Sequence, residues 1–234
     1  MKRPAISVII PTLNEAKYIH YAAEGLARQT FKDFEVIVVD GGSRDKTRAI
    51  AKKFAKVILA KGANVSRSRN IGAKMARGKI LMFLDGDTKL GPSALAEYDR
   101  TLNNGYIAAT GPIYPLEKTK RRVRMAYKFV TVDLIRLSII FGVPSLVGAN
   151  FSVRKDVFDR VHGFNESYIT SEDWDLSQRV KKFGKIAYLG KAVALTSARR
   201  TLAWGLSYYT KYTLKNIINY NLRKKPSSDY EKVR

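Results

Sequence analysis

Two aspartates, Asp85 and Asp87, flank Gly86 where an apolar run ends in LMFLDGD. Once the chain turns at the glycine, their carboxylate oxygens approach one point. That suits a hard divalent cation, since Mg2+ or Mn2+ keeps several waters, takes one or two carboxylates and bridges to substrate phosphates. Between residues 44 and 79 twelve Lys and Arg accompany a single acid, Asp45, surroundings that favour a diphosphate. An Asp-x-Asp pair by itself also occurs by chance in turns. Asp40 closes a second apolar run, FEVIVVD, with no cation beside it in sequence; a carboxylate there can accept a ring N–H and the hydroxyls of a nucleoside. No G-x-G-x-x-G and no P-loop follows either run, so metal rather than a glycine cradle would neutralise phosphates.

These residues need elements to carry them. Residues 5–10 (AISVII), 34–40 and 79–85 are short apolar runs, the first two rich in β-branched residues, stopped by Pro11, by Gly41-Gly42 and by Gly86; they have the character of strands buried on both faces. Segments of helical period at residues 15–29, 44–55 and 66–77 lie between them, with a short strand at 57–60. Alternation of this kind predicts a mostly parallel α/β sheet with right-handed crossovers, whose ligands bind outside the carboxyl ends of the strands. Those ends carry Pro11-Thr12-Leu13-Asn14-Glu15, Asp40-Gly41-Gly42-Ser43 and Asp85-Gly86-Asp87. Each cluster on its own has a second reading as a turn and helix cap; their recurrence at successive strand ends points to one ligand-binding rim. Past Pro112 the pattern predicts a basic amphipathic helix over 118–136, a strand over 147–153, short helices at 155–161 and 172–183, and a strand over 185–189.

Composition narrows the chemistry. The 234 residues contain 43 Lys and Arg against 20 Asp and Glu, a formal charge of +23, with 45% hydrophobic residues, which excludes a disordered chain. The absence of cysteine excludes disulfides, a zinc ribbon and a thiolate nucleophile, and His20 and His162 are too few for a histidine-rich metal site. The apolar run at 5–10 is too short for a signal peptide, which predicts a cytoplasmic start. Residues 137–153 are uncharged but contain Gly142, Pro144, Gly148 and Asn150, a poor spanning helix.

Taken in order, SVIIPTLNE (7–15), FEVIVVDGGS (34–43) with Asp45, SRNIGA (68–73), LMFLDGD (81–87) and SEDWDL (171–176) resemble the motifs of family 2 glycosyltransferases with the GT-A fold. The resemblance spans residues 5 to about 190. It implies a Rossmann-like, mostly parallel sheet flanked by helices, with a nucleotide-sugar half (1–112), an acceptor half (113–198) and a basic amphipathic C-terminal helical extension (199–234). It implies a nucleotide-sugar site of Pro11, Thr12, Asn14, Glu15, Gly42, Ser43 and Gly86, with Asp40 on the base, Arg67 or Arg69 supporting base or phosphate, and Asp85 and Asp87 holding Mn2+ or Mg2+ and the diphosphate. Asp173 would be the general base of an inverting transfer, with Glu172, Trp174 and Asn150 on the acceptor side. Asp173 also has the plain reading of a first-turn acid capped by Ser171. Processive members carry Gln-x-x-Arg-Trp where this chain has Ser177-Gln178-Arg179-Val180, a departure that favours transfer of one sugar per encounter.

The partner of so basic a chain is a polyanion. Residues 199–225 hold seven Lys and Arg, no acid, and Trp204, Tyr208, Tyr209, Tyr212 and Tyr220, the composition of a helix lying on an anionic membrane surface, although packing against the domain would use the same apolar face. A lipid-linked acceptor and a peripheral position at the inner face of the cell membrane follow as expectations. A nucleic-acid-binding protein would share the charge, but no nucleic-acid motif is present and acid-lined strand ends repel phosphate unless metal is bound. The sequence leaves open the sugar, UDP against GDP as donor carrier, a polyprenyl phosphate in place of a hydroxyl as acceptor, and the oligomeric state.

Overall fold

The computed structural model describes residues 2–168, 170–205 and Lys211. In chain order the elements are β1 (Ile6–Thr12), α1 (Ile19–Ala27), β2 (Phe34–Asp40), α2 (Thr47–Ala51), β3 (Lys56–Leu59), α3 (Val65–Met75), β4 (Ile80–Leu84), β5 (Thr88–Leu90), α4 (Ala94–Asn103), β6 (Ala108–Thr110) and β7 (Ile113–Pro115). There follow α5 (Arg121–Lys128), a π-helical turn (Phe129–Leu134), α6 (Ile135–Ile140), β8 (Asn150–Arg154), α7 (Lys155–Arg160), α8 (Glu172–Val180), β9 (Ile186–Tyr188), β10 (Ala194–Thr196) and α9 (Arg199–Trp204).

The seven-stranded central sheet has the order β3-β2-β1-β4-β8-β6-β9. Every strand in it is parallel to its neighbours except β8, which runs antiparallel to β4 and β6. Because β1 and β4 are buried on both faces, alternate residues feed two cores: Val8, Ile10, Met82 and Leu84 pack with α1 and α4 on one side, and Ile9, Leu81 and Phe83 on the other. There Phe83 stacks on Phe151 at 4.9 Å and meets Phe164 edge-on at 5.1 Å. A second sheet, β5-β10-β7, ties the segment after Asp87 to the chain 108 residues later through Thr88 paired with Thr196. Its strands, three residues each, are too short to carry a periodic signal; α4, whose buried Ala94, Leu95, Tyr98 and Leu102 recur at helical spacing, is not among the expected helices.

Several expected boundaries move for local reasons. The helix expected over 44–55 starts only at Thr47, because Asp45 turns the chain, accepting from the Thr47 N–H at 3.0 Å and the Ala16 N–H at 3.1 Å, and it ends at Ala51. The one expected over 15–29 starts only at Ile19, after a turn closed by the Glu15 carbonyl. The strand expected from 147 begins at Asn150, whose N–H closes a turn onto Val147 O at 2.8 Å. The helix expected over 172–183 stops at Val180 and tightens to a 3-10 turn before Gly184, whose φ of 155° only glycine adopts readily. The basic helix begins at Arg121 and runs on through the π turn to Ile140. Beyond α9, the expected C-terminal extension falls outside the described residues apart from Gly205 and Lys211. Among the described residues no helix is long and apolar enough to cross a membrane.

Helix α3 lies close on the sheet because residue 72 has no side chain: a Cβ on Gly72 would sit 2.4 Å from Ile9 Cγ2 and 3.3 Å from Val39 Cγ2. Gly72→Ala adds helix propensity but overpacks this contact, and overpacking costs about 1–3 kcal/mol. Urea unfolding should show a net loss of stability; an unchanged or raised midpoint would show that the helix can move away freely.

Candidate active site

Strand order reverses at β1, since the chain runs outward to β2 and β3 and returns on the other side as β4. The crevice beyond the carboxyl ends of β1 and β4 is therefore the topological switch point where open α/β sheets bind ligands. The three polar clusters meet there. Gly86 lets them close up, because a Cβ on it would stand 3.2 Å from Thr12 Cγ2 and 3.5 Å from Glu15 Cγ.

On the β2 side Asp40 is fully buried and organises its own turn. Oδ1 accepts from the N–H groups of Gly42 (3.1 Å) and Ser43 (2.8 Å), and Oδ2 from the hydroxyls of Ser43 and Thr12, the latter at 3.3 Å. Gly42 has φ 103°, a left-handed conformation suited to glycine. Asn14, itself at φ 56°, interlocks with the same turn: its N–H donates to Ser43 Oγ and its Oδ1 accepts from the Arg44 N–H, both at 2.8 Å. Pro11 pairs with Val39 and Thr12 with Asp40 across the two strands.

The centre of the site is a buried guanidinium. Arg69, on the inner face of α3, is 2% exposed. Its Nη1 donates to Glu172 Oε1 at 2.8 Å, and its Nη2 to Asp85 Oδ1 at 2.9 Å and to the Gly148 carbonyl at 3.0 Å. The guanidinium also sits 5.3 Å from the centre of the Phe164 ring. Gly148 then holds Asp173, whose Oδ2 accepts the glycine N–H at 2.9 Å while Oδ1 accepts the Trp174 N–H at 2.8 Å. Residues far apart in sequence, on α3, β4 and α8, are thus gathered around one charge. Burial pushes the Glu172 carboxyl up to about 7, helped by the charge of Asp173 and opposed by Arg69. Burial raises Asp173 as well, with Arg69 and the two N–H groups opposing it. The carboxylates in turn keep Arg69 charged above its ordinary value against the cost of its burial.

Asp87 belongs to a second network. Its Oδ2 is 3.2 Å from Nη2 of Arg199, and Oδ1 receives the Thr196 hydroxyl at 3.3 Å. Arg199 at the same time forks onto Glu15, Nη1 to Oε2 at 2.9 Å and Nη2 to Oε1 at 2.6 Å, with its guanidinium 4.7 Å from the Tyr18 ring centre. Burial, with Asp85 adding like charge, pushes Asp87 up to about 6 despite Arg199. Asp85 and Asp87 are therefore hard oxygen donors in a spot with negative charge to spare, which fits a hard divalent cation. Among the described residues no group of three or more His, Cys, Asp or Glu is arranged for a metal, so such a cation would complete its shell with water and ligand oxygens.

Of the remaining expected residues, Arg67 is exposed while Arg69 is buried, which separates the two arginines the sequence left as alternatives. Trp174 follows Glu172 and Asp173 on α8, and its indole N–H is buried and unpartnered. Asn150 is fully buried and its amide is used within the protein: Nδ2 donates to Ala192 O (2.8 Å) and Pro112 O (3.3 Å), and Oδ1 accepts from the Tyr98 hydroxyl (2.9 Å). It anchors β8 behind the site. The sequence did not single out Arg199, because one of two adjacent arginines at the head of a basic tail looks like any other; Gly148-Ala149-Asn150-Phe151 resembles an acceptor-side segment of the family, and there it is the Gly148 backbone that meets Arg69 and Asp173.

Asp87 supplies a stability test. Its pKa rises from 3.8 to about 6, so ionisation lowers stability: the loss is nil below the unfolded-state value and complete above the folded one. Asp87→Asn, which mimics the neutral form, should stabilise the ligand-free protein by roughly 1–3 kcal/mol above pH 7 and have little effect near pH 4. Melts at both pH values measure this; destabilisation at high pH would mean that the pair with Arg199 outweighs the burial cost.

The profile of Glycosyl transferase family 2 matches residues 7–161. A PGL/p-HBAD biosynthesis glycosyltransferase of Mycobacterium bovis is 40% identical over 187 residues, covering 76% of this chain and 70% of its own. The GalNAc(5)-diNAcBac-PP-undecaprenol beta-1,3-glucosyltransferase of Campylobacter jejuni is 27% identical over 98% of this chain and 79% of its own. In fold the chain is similar to S. aureus TarS 1-349 (TM-score 0.66, 21% identity, 91% of this chain and 64% of that one). It is similar also to the mannosyltransferase PcManGT of Pyrobaculum calidifontis, solved with GDP-Man and Mn2+ (TM-score 0.67, 17% identity, 92% of this chain and 65% of that one). With a family profile across most of the chain and a GT-A-like sheet whose switch point gathers the acids of its motifs, this chain belongs to glycosyl transferase family 2.

Proposed function

We propose that the protein is an inverting glycosyltransferase that moves one sugar from a nucleoside-diphosphate sugar, UDP- or GDP-linked, to a hydroxyl of a lipid-linked acceptor at a membrane surface. The observation that carries this reading is the Arg69 network, which sets Glu172 and Asp173 beside Asp85 at the switch point. A relative whose name carries a PP-undecaprenol acceptor supports the acceptor class. Residues 1–112 would form the donor half and 113–198 the acceptor half, with the basic segment 199–234 toward the membrane.

In this reading the nucleoside lies over the β1 and β2 ends, bordered by Pro11, Thr12, Asn14, Gly42 and Ser43. Asp40 reaches the base through Oδ2, because the Ser43 and Thr12 hydroxyls can rotate away while the backbone bonds to Oδ1 hold the turn. Asp85 and Asp87, with Gly86 allowing close approach, would hold Mn2+ or Mg2+. Bound there, the cation would offset the charge of the diphosphate leaving group. Arg199 releases Asp87 to that role and remains available to the phosphates. Asp173 takes the acceptor hydroxyl proton as the oxygen attacks the anomeric carbon opposite the leaving group. Each of its oxygens has one backbone N–H donor in place and keeps a lone pair free, and burial raises its basicity. Arg69 and Gly148 fix its position, Glu172 shares its charge environment, and the Trp174 N–H is a donor for a sugar hydroxyl.

Two measurements test this. UDP or GDP should raise the melting temperature in Mn2+ or Mg2+ and much less in chelator, and Asp87→Ala should remove the metal's share; equal stabilisation in all three conditions would reject the metal role. Asp173→Asn should lower turnover roughly 10²–10⁴-fold with donor binding nearly unchanged. Turnover close to wild type on the true acceptor would reject the base and point to an acceptor already ionised, such as a polyprenyl phosphate.

A further inference from the structure

The segment from α5 through the π turn to α6 is poorly buried. Helix α5 buries no residue at all, and Met125, Phe129, Leu134, Leu137, Ile140 and Phe141 are all exposed, the last two by 66% and 76%. Their spacing is four, then five, then three or four. A five-residue step breaks a helical stripe in a regular α-helix, but here it falls between Phe129 and Leu134, the two ends of the π turn, where i→i+5 bonding widens the turn. The irregular turn keeps the apolar ridge continuous. Around it stand Arg121, Arg122, Arg124, Lys128 and Arg136, with Asp133, paired to Lys128 at 3.0 Å, as the one acid of the segment.

We propose that this ridge is a membrane-docking edge, its apolar side chains entering an anionic phospholipid bilayer while the flanking arginines bind the headgroups. Charge selects this occupant. Residues 206–234 include few acids and the run 199–225 has none, and a second copy of a chain at +23 would set basic rims against each other. An anionic bilayer matches both the cations and the apolar ridge. The placement gives the edge a purpose that rests on the lipid-linked acceptor proposed above. From Phe141 the chain passes Pro144, whose carbonyl accepts from Gln178 of α8, and Leu146, whose N–H donates to Ser177 Oγ, to reach Gly148, which holds Asp173. Seven residues span at most about 25 Å, so the base stands within reach of an acceptor headgroup whose lipid stays in the bilayer.

Docking can be measured on the full chain without any substrate. The protein should float with vesicles of phosphatidylcholine containing about one third phosphatidylglycerol and not with phosphatidylcholine alone, and high salt should weaken the binding. The triple variant Phe129→Ser, Ile140→Ser, Phe141→Ser should bind such vesicles at least about tenfold more weakly. Its nucleotide-dependent thermal shift, if kept, shows that it is folded. In a second variant, Phe141→Trp, the added fluorescence should be quenched by lipids brominated in the acyl chains. Absence of flotation, wild-type binding by the folded triple variant, or flotation without quenching would each overturn the proposal. Flotation without any nucleotide response would instead leave docking intact and reject the donor reading.

Discussion

Arg69 is the group on which the arrangement depends. A guanidinium 2% exposed is costly to bury unless its charge is balanced, and balance here comes from Asp85 and Glu172, with the Gly148 carbonyl taking a further hydrogen bond. The dependence runs both ways. Glu172 and Asp173 are adjacent acids in a poorly solvated corner, and burial drives both toward the neutral form. Without the fixed cation they would compete for one proton, as like charges sharing a site do. Planarity matters too: the fork reaches β4, α8 and the loop before β8 at once, which a lysine's point charge would not do with the same geometry.

The two acids of the Asp85-Gly86-Asp87 turn answer to different arginines. Asp85 is held by Arg69 and is 36% exposed, whereas Asp87 is 13% exposed and sits by Arg199. One carboxylate is therefore fixed by the sheet-facing side of the protein and the other by the C-terminal side. Glu15 competes with Asp87 for Arg199 through a two-pronged bond, so Asp87 is the less fully compensated of the two, consistent with its raised pKa. A site built this way has an unsatisfied demand for positive charge beside Asp87.

How much of this could be seen in the sequence follows from the range of the interactions. Strands buried on both faces announce themselves as apolar runs, so β1, β2 and β4 and the polar clusters at their ends were legible. Helix α8 does begin at Glu172, but the Ser171 cap the sequence offered is not made: Ser171 is left-handed at φ 57° and its side chain gives no capping hydrogen bond. Where contacts are remote, the signal vanished: Arg69 and Arg67 are two apart on one helix and only packing on β1 and β2 decides which is inside. Arg199 meets Glu15 across 184 residues, and nothing near either residue marks the pair. Asn150 had the right type for a ligand contact, but its amide satisfies Ala192, Pro112 and Tyr98 instead. Asp45 illustrates a local failure, because its acceptor bonds hold residues 44–46 in a turn and delay the start of a helix expected from residue 44.

The C-terminal side also ties the start of α9 to β7 and α5. Glu117, just after β7, receives the Ser197 hydroxyl and the Ala198 N–H, both at 2.7 Å, and so fixes the start of α9 and with it Arg199. Two residues on, the Thr201 hydroxyl is 3.0 Å from that of Tyr127, which stands on α5. One hydrogen bond thus links the exposed basic helix to the short helix whose first residue pairs with both Asp87 and Glu15. On the other flank the same helical segment leads through Pro144 and Leu146 to Gly148, the residue between Arg69 and Asp173. Helix α5, which buries no residue of its own, is therefore connected to both carboxylate networks, to Asp87 and Arg199 through Tyr127 and to Arg69 and Asp173 through Gly148.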